Sequence, residues 1–206
     1  AGLHADAGDF KSADGIYRRL ISELPRSSLA DDARFALAES DLVAGRLDAA
    51  SDAFKALIDD RTADDEIQQD ALYRLVGIAA DRDLWPKVRE FGRQLRTRFP
   101  RSRHGWQVRF QLGQAALHLG EFTAAKTELT AVLEQRTHAE ISQASWFDET
   151  WVLLAESHLR LKDYEALVRT VADFRRTRPK SRVLHKADEI LGRGHIKKSR
   201  PDFDMA

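Results

Sequence analysis

Apolar residues recur along this chain at helical rather than strand spacing. Trp106, Phe110, Leu112, Gly113, Ala116, Leu117 and Leu119 fall at intervals that build an apolar helix face. Gly120 interrupts the pattern, and a second face follows from Phe122 through Ala125, Leu129, Val132 and Leu133. The pair predicts two antiparallel helices, with the small Gly113 expected to face the small Ala125 so that the two approach closely. The same pattern predicts helix pairs at 29–44 with 47–59, 66–80 with 85–98, and 147–161 with 164–177. Residues 1–7 supply only the tail of an earlier first helix, and one last helix is expected from 181 to about 191. Strict alternation is missing and β-branched runs are short, so no strand is expected. Residues 138–145 read as a longer connecting loop or an extended helix start, and 197–206 as a tail without periodicity.

The pairs are copies of one another. Phe10…Ala13…Leu20…Pro25-Arg26-Ser27 returns as Trp85…Val88…Leu95…Pro100-Arg101-Ser102, and as Tyr164…Leu167…Phe174…Pro179-Lys180-Ser181. Two further copies lack the proline: Leu47, Ala50, Phe54, Leu57 and Phe122, Ala125, Leu129, Val132. Taking Ala13, Ala50, Val88, Ala125 and Leu167 as equivalent, the steps are 37, 38, 37 and 42 residues. A step of 75 carries Arg34, Phe35, Leu37, Gly45 and Ala50 onto Arg109, Phe110, Leu112, Gly120 and Ala125, as in a duplicated two-unit module. Proline ends the helices before it, and Ser27, Ser102 and Ser181 can start the helices after it. A helical unit repeated at this period describes a stacked array, an architecture used mainly to bind other proteins.

The repeat resembles the tetratricopeptide repeat (TPR), whose unit has small residues at its eighth and twentieth positions and proline near the thirty-second. Ala38, Val76, Gly113 and Ala155 fall at the eighth, Ala50, Val88, Ala125 and Leu167 at the twentieth, and Pro25, Pro100 and Pro179 at the thirty-second. Val88 and Leu167 are larger than that pattern prefers. The resemblance implies an all-α, right-handed α-solenoid of antiparallel helix pairs: a partial unit 1–28, units 29–65, 66–102, 103–140 and 141–180, a capping helix 181–195 and a tail 196–206. It also implies a concave groove lined by the first helices. On this alignment Phe35, Tyr73, Phe110 and Val152 share one groove-facing position. Glu39, Gln114 and Glu156 lie one turn on, with Gly77 as the gap, and Leu42, Leu117 and Leu159 continue the row. Such a row would take an extended or helical peptide. The acidic members favour a neutral or basic ligand. A subclass of the family grips a terminal carboxylate with lysine and asparagine, and this chain contains no asparagine. The Phe-Pro-Arg-Ser phrase at 99–102 and the repeat length are also similar to bacterial cell-envelope TPR proteins of the Tol-Pal-associated periplasmic and outer-membrane assembly lipoprotein types, which suggests an envelope or periplasmic setting.

Charge adds a direction. Residues 1–70 carry 16 acidic and 8 basic side chains, residues 71–206 carry 17 and 25, so the chain is neutral overall but polarised. The basic excess gathers at 82–109 (Arg89, Arg93, Arg96, Arg98, Arg101, Arg103) and at 169–200 (Arg175, Arg176, Arg178, Lys180, Arg182). Those clusters open a less favoured reading, nucleic-acid binding. The acidic pairs Asp31-Asp32, Asp59-Asp60 and Asp64-Asp65 read as charge at helix ends.

Motifs for catalysis are missing from the sequence. It has no cysteine, its seven histidines are scattered, and Gly192-Arg193-Gly194 follows no strand. Asp64, Asp65 and Glu66 lack the spacing of a calcium loop. No apolar run reaches the roughly 18 residues of a membrane span. The chain starts with alanine, so a missing leader decides nothing. The expectation is a non-catalytic protein-interaction scaffold without cofactor, metal or small-molecule substrate, binding a protein or peptide. The alternative is an interaction or regulatory segment of a larger envelope protein or enzyme.

Overall fold

The structure is a computed structural model that describes residues 10–199, with side chains from Ala13 onward. Residues 1–9, with the expected tail of an earlier helix and His4, lie outside the described residues, as do 200–206 and the Phe10 side chain. Eleven helices and no strand occur among the described residues. They fall into two compact units, divided between His104 and Gly105.

The first unit holds α1 (Phe10–Glu23), α2 (Ser28–Val43), α3 (Leu47–Asp59), α4 (Asp65–Asp81) and α5 (Trp85–Arg98). Each helix packs on the next, and α2 also touches α4. Ala30, Ala33, Ala38 and Ala50 are fully buried, so α2 and α3 approach closely around Phe54 and Leu57. Ser27 caps α2 by accepting from Ala30 N–H at 3.2 Å, and Asp64 caps α4 by accepting from Glu66 N–H at 2.7 Å. Asp60 accepts from both the N–H and the hydroxyl of Thr62, and these bonds hold its carboxyl below the usual range.

The second unit holds α6 (Gly105–His118), α7 (Phe122–Glu134), α8 (Ala139–Ser142), α9 (Phe147–Arg160), α10 (Tyr164–Thr177) and α11 (Leu184–Ser199). Its core joins Leu129, Val132, Phe147, Trp151, Ala155 and Phe174. The Trp151 and Phe174 rings stack with centroids 5.6 Å apart. The segment 138–145 proves to be a loop holding one helical turn, α8. Helix α11 continues to Ser199, eight residues beyond the apolar pattern's expected end near Leu191; Ile196 and Lys197, exposed on it, belong to a helix rather than to a tail.

One turn recurs between the two helices of every pair. Gly45 and Gly120 sit at φ +74° and +75°, and Asp83 and Lys162 hold the same place at +55° and +58°. The following N–H reaches back five residues each time: Arg46 to Asp41, Leu84 to Ala79, Glu121 to Ala116, Asp163 to His158, at 2.8–2.9 Å. This is the six-to-one bond of a Schellman cap, which requires the left-handed residue.

The small residue Gly113 does not chiefly face Ala125. A side chain there would meet Leu129 first. Leucine needs the missing volume; the fully buried Ala125 needs none.

Candidate partner-binding face

In the first unit, α2 and α4 lie side by side and present the expected row. Phe35 is half-buried, its ring 5.3 Å from that of the fully buried Phe54. Leu42, two turns on, is half-buried too. Glu39 forms an ion pair with Arg74 of α4 at 2.7 Å, although that N–H is not aimed at the oxygen. Tyr73 is half-buried and lies flat against His104, with centroids 4.0 Å apart and planes 3° from parallel. His104 Nε2 is 2.8 Å from Asp70 Oδ1, and Arg103 bonds the other oxygen of the same carboxylate and Glu66 at 3.2 Å. Beside Gly77 nothing lies within 4 Å of where a side chain would start, so the gap in the row is open space.

In the second unit the row sinks into the protein. Phe110, Val152 and Leu159 are buried, at 8%, 6% and 4% exposure, while Gln114 and Leu117 remain half-buried. Trp146, just ahead of α9, stacks on Phe110 at 5.2 Å and is itself half-buried. The enlarged connection of 138–145 thus delivers an indole onto the phenyl ring that the repeat left facing outward. Glu156 is bonded to Arg193 of α11 at 2.7 Å, with Arg160 3.8 Å away.

No family model and no curated protein matches the chain. Among solved structures it is similar over 97% of its length to a chain in the crystal structure of the APC/C hetero-tetramer Cut9-Hcn1, at 14% identity and a TM-score of 0.56. The fold is TPR-like. The present chain spans 35% of that chain's length. It is also similar to TTC0263, a thermophilic TPR protein of Thermus thermophilus, with 20% identity over 92% of this chain and 94% of that one, at a TM-score of 0.44.

The TPR-like frame makes a feature of the ion pairs visible that the sequence reading missed. Glu39 pairs with Arg74, Asp48 with Arg82, Glu66 and Asp70 with Arg103, Asp148 with Arg178, Glu149 with Lys186 and Glu156 with Arg193. The partners lie 30–37 residues apart, close to one repeat, and in each of these pairs the carboxylate comes first. In these pairs an acid meets a base about one repeat further along the chain. Glu39, Asp48, Glu66 and Asp70 lie before residue 71 and their arginines after it, which contributes to the polarised charge. Each exposed pair contributes little stability on its own. A search for opposite charges one repeat apart would have found them.

The same pairs change the reading of the arginine clusters. Arg82, Arg103, Arg175, Arg176 and Arg178 hold carboxylates, and Arg98 reaches the Ile58 carbonyl at 3.2 Å and the Gln68 side chain. Phe91 is buried and Phe99 half-buried beneath the Arg98 guanidinium. Among the described residues no three metal-ligating side chains gather, and no helix is long and apolar enough to cross a membrane. His158 is buried at 7% exposure, its Nδ1 3.8 Å from Asp163; burial pushes its pKa down, with Lys126 and Arg169 adding to the effect and Asp163 opposing it.

Proposed function

We propose that this chain is a non-catalytic protein-interaction scaffold that takes a peptide or partner surface along its first helices. The observation that carries this reading is the half-exposed row Phe35, Leu42 and Tyr73 on the adjoining helices α2 and α4. A buried core explains Phe54 and Leu57; it leaves the outer faces of Phe35 and Tyr73 to something else. In the second unit Trp146, Gln114 and Leu117 supply the corresponding surface, with Phe110, Val152 and Leu159 beneath it as support. The similar solved chain belongs to a hetero-tetramer, which accords with a role in holding proteins together.

The ion pairs refine the ligand chemistry. Glu39 and Glu156, acidic members expected to favour a neutral or basic ligand, are paired with Arg74 and Arg193. The face then suits an apolar or aromatic segment of low net charge, and binding should depend weakly on salt. A photo-crosslinking residue placed at Leu42 tests the reading. A discrete protein adduct suppressed by Phe35→Ser supports it, whereas adducts unchanged by that substitution contradict it.

A further inference from the structure

We propose that the cleft between α3, α4 and α5 in the first unit is a site for a small neutral molecule built on a single apolar ring. Helix α2, which carries Phe35 and Leu42, contributes nothing to its walls, so the site is independent of the partner-binding row. Leu75, Ile78 and Ala79 of α4 and Phe91 of α5 line it and are buried, and Leu84, 43% exposed, stands at its mouth. The cleft measures about 160 Å³. An apolar cavity of roughly 150 Å³ is large enough to admit benzene.

Charged residues line the edge but answer one another. Arg82 bonds Asp48 at 2.6 Å, Lys55 bonds Asp52 at 3.0 Å and Lys87 bonds Glu90 at 2.8 Å. No charged residue of the lining is left over for an ionic ligand. What remains to be satisfied is the apolar floor, and covering it is the driving force for binding.

The second unit shows what fills this place. The alignment that carries Val76 onto Ala155 and Val88 onto Leu167 also carries Ala79 onto His158 and Leu84 onto Asp163, and the step of 75 carries Ser51 onto Lys126. His158 is buried, its Nδ1 lies 3.8 Å from Asp163, and Lys126 is near enough to act on its charge. Its imidazole therefore occupies, in its own repeat, the space that Ala79 leaves empty between α3, α4 and α5. The walls set the chemistry of the ring. Ser157 and Thr170 stand near the polar imidazole where the first unit has Ile78 and Phe91, so the open cleft calls for an apolar ring instead.

Titration of the full, methyl-labelled chain with toluene, followed by NMR, tests this. The expected result is saturable shifts at the Leu75, Ile78 and Leu84 methyls, with a melting temperature that rises with toluene concentration. Benzoate, a similar ring carrying a charge, should bind at least about tenfold more weakly. Ala79→His, which copies the sister repeat, should abolish the saturable shifts while circular dichroism stays helical. Ser51→Leu, at the half-buried edge, provides a second block should Ala79→His disturb α4. A wild-type chain whose methyls show no saturable shift overturns the proposal. So does toluene binding that a folded blocked variant retains, or benzoate binding as tight as that of toluene.

Discussion

Gly113 and Leu129 occupy one space: a methyl group added to the glycine would lie 2.6 Å from the leucine Cγ and 2.7 Å from its Cδ2. Leu129 is fully buried among Val132, Phe147 and the rest of the second unit's core and has nowhere to go. Gly113→Ala therefore sets a helix-propensity gain of about 1 kcal/mol against an overpacking cost of about 1–3 kcal/mol. The expected outcome is a lower melting temperature. Gly192→Ala, with nothing within 4 Å, should raise it instead, by a few degrees at most. Thermal denaturation of the two variants side by side reads the sign directly.

The left-handed residues between paired helices give an independent check. Lys162 and Asp83 sit at positive φ where the sister turns have glycine. A side chain in that conformation costs about 1 kcal/mol. Lys162→Gly should stabilise the chain by roughly that amount, although glycine usually weakens a protein. Chemical denaturation would register it as a higher midpoint with an unchanged slope.

His158 predicts a pH dependence. Burial lowers its pKa in the folded chain below the ordinary value of 6.5. As pH falls through that value the unfolded chain takes up a proton before the folded one does. Stability contributed by neutral His158 is thus complete above the ordinary histidine range and declines as the solution becomes more acidic. Melting temperatures from about pH 8 to about pH 5 should fall less steeply in His158→Gln than in the wild type. A parallel decline in both would show that other groups carry the effect.

Phe110 and Phe35 are equivalent in the repeat but not in the structure. Phe110→Ser leaves a cavity under Trp146 and should cost on the order of 3 kcal/mol or more. Phe35→Ser, at a half-buried site, should cost clearly less. Circular dichroism melts of the two single variants separate a core role from a surface one.

The helical pairs were legible because each carries its own period, stop and start. Gly120 ends one face, Phe122 opens the next, and Pro179 with Ser181 punctuates the following turn. Inter-residue partners were less legible. The closeness at Gly113 was foreseen, but Leu129 rather than Ala125 fills it, because periodicity gives a face and not the neighbour across it. Phe110 read as outward-facing since nothing in its own repeat covers it; the cover is Trp146, delivered by the irregular segment where the repeat breaks. The pairing of Glu39 and Glu156 was not legible because their arginines lie one repeat away, beyond the reach of a helix-by-helix reading.

Partner capture by the double variant Phe35→Ser/Tyr73→Ser measures the central claim most directly. Wild-type and variant chains would be immobilised, exposed to native extract and compared by quantitative mass spectrometry, with circular dichroism confirming that both remain helical. A folded variant that loses a discrete set of proteins retained by the wild type is the predicted result. A folded variant that retains the same set contradicts the account.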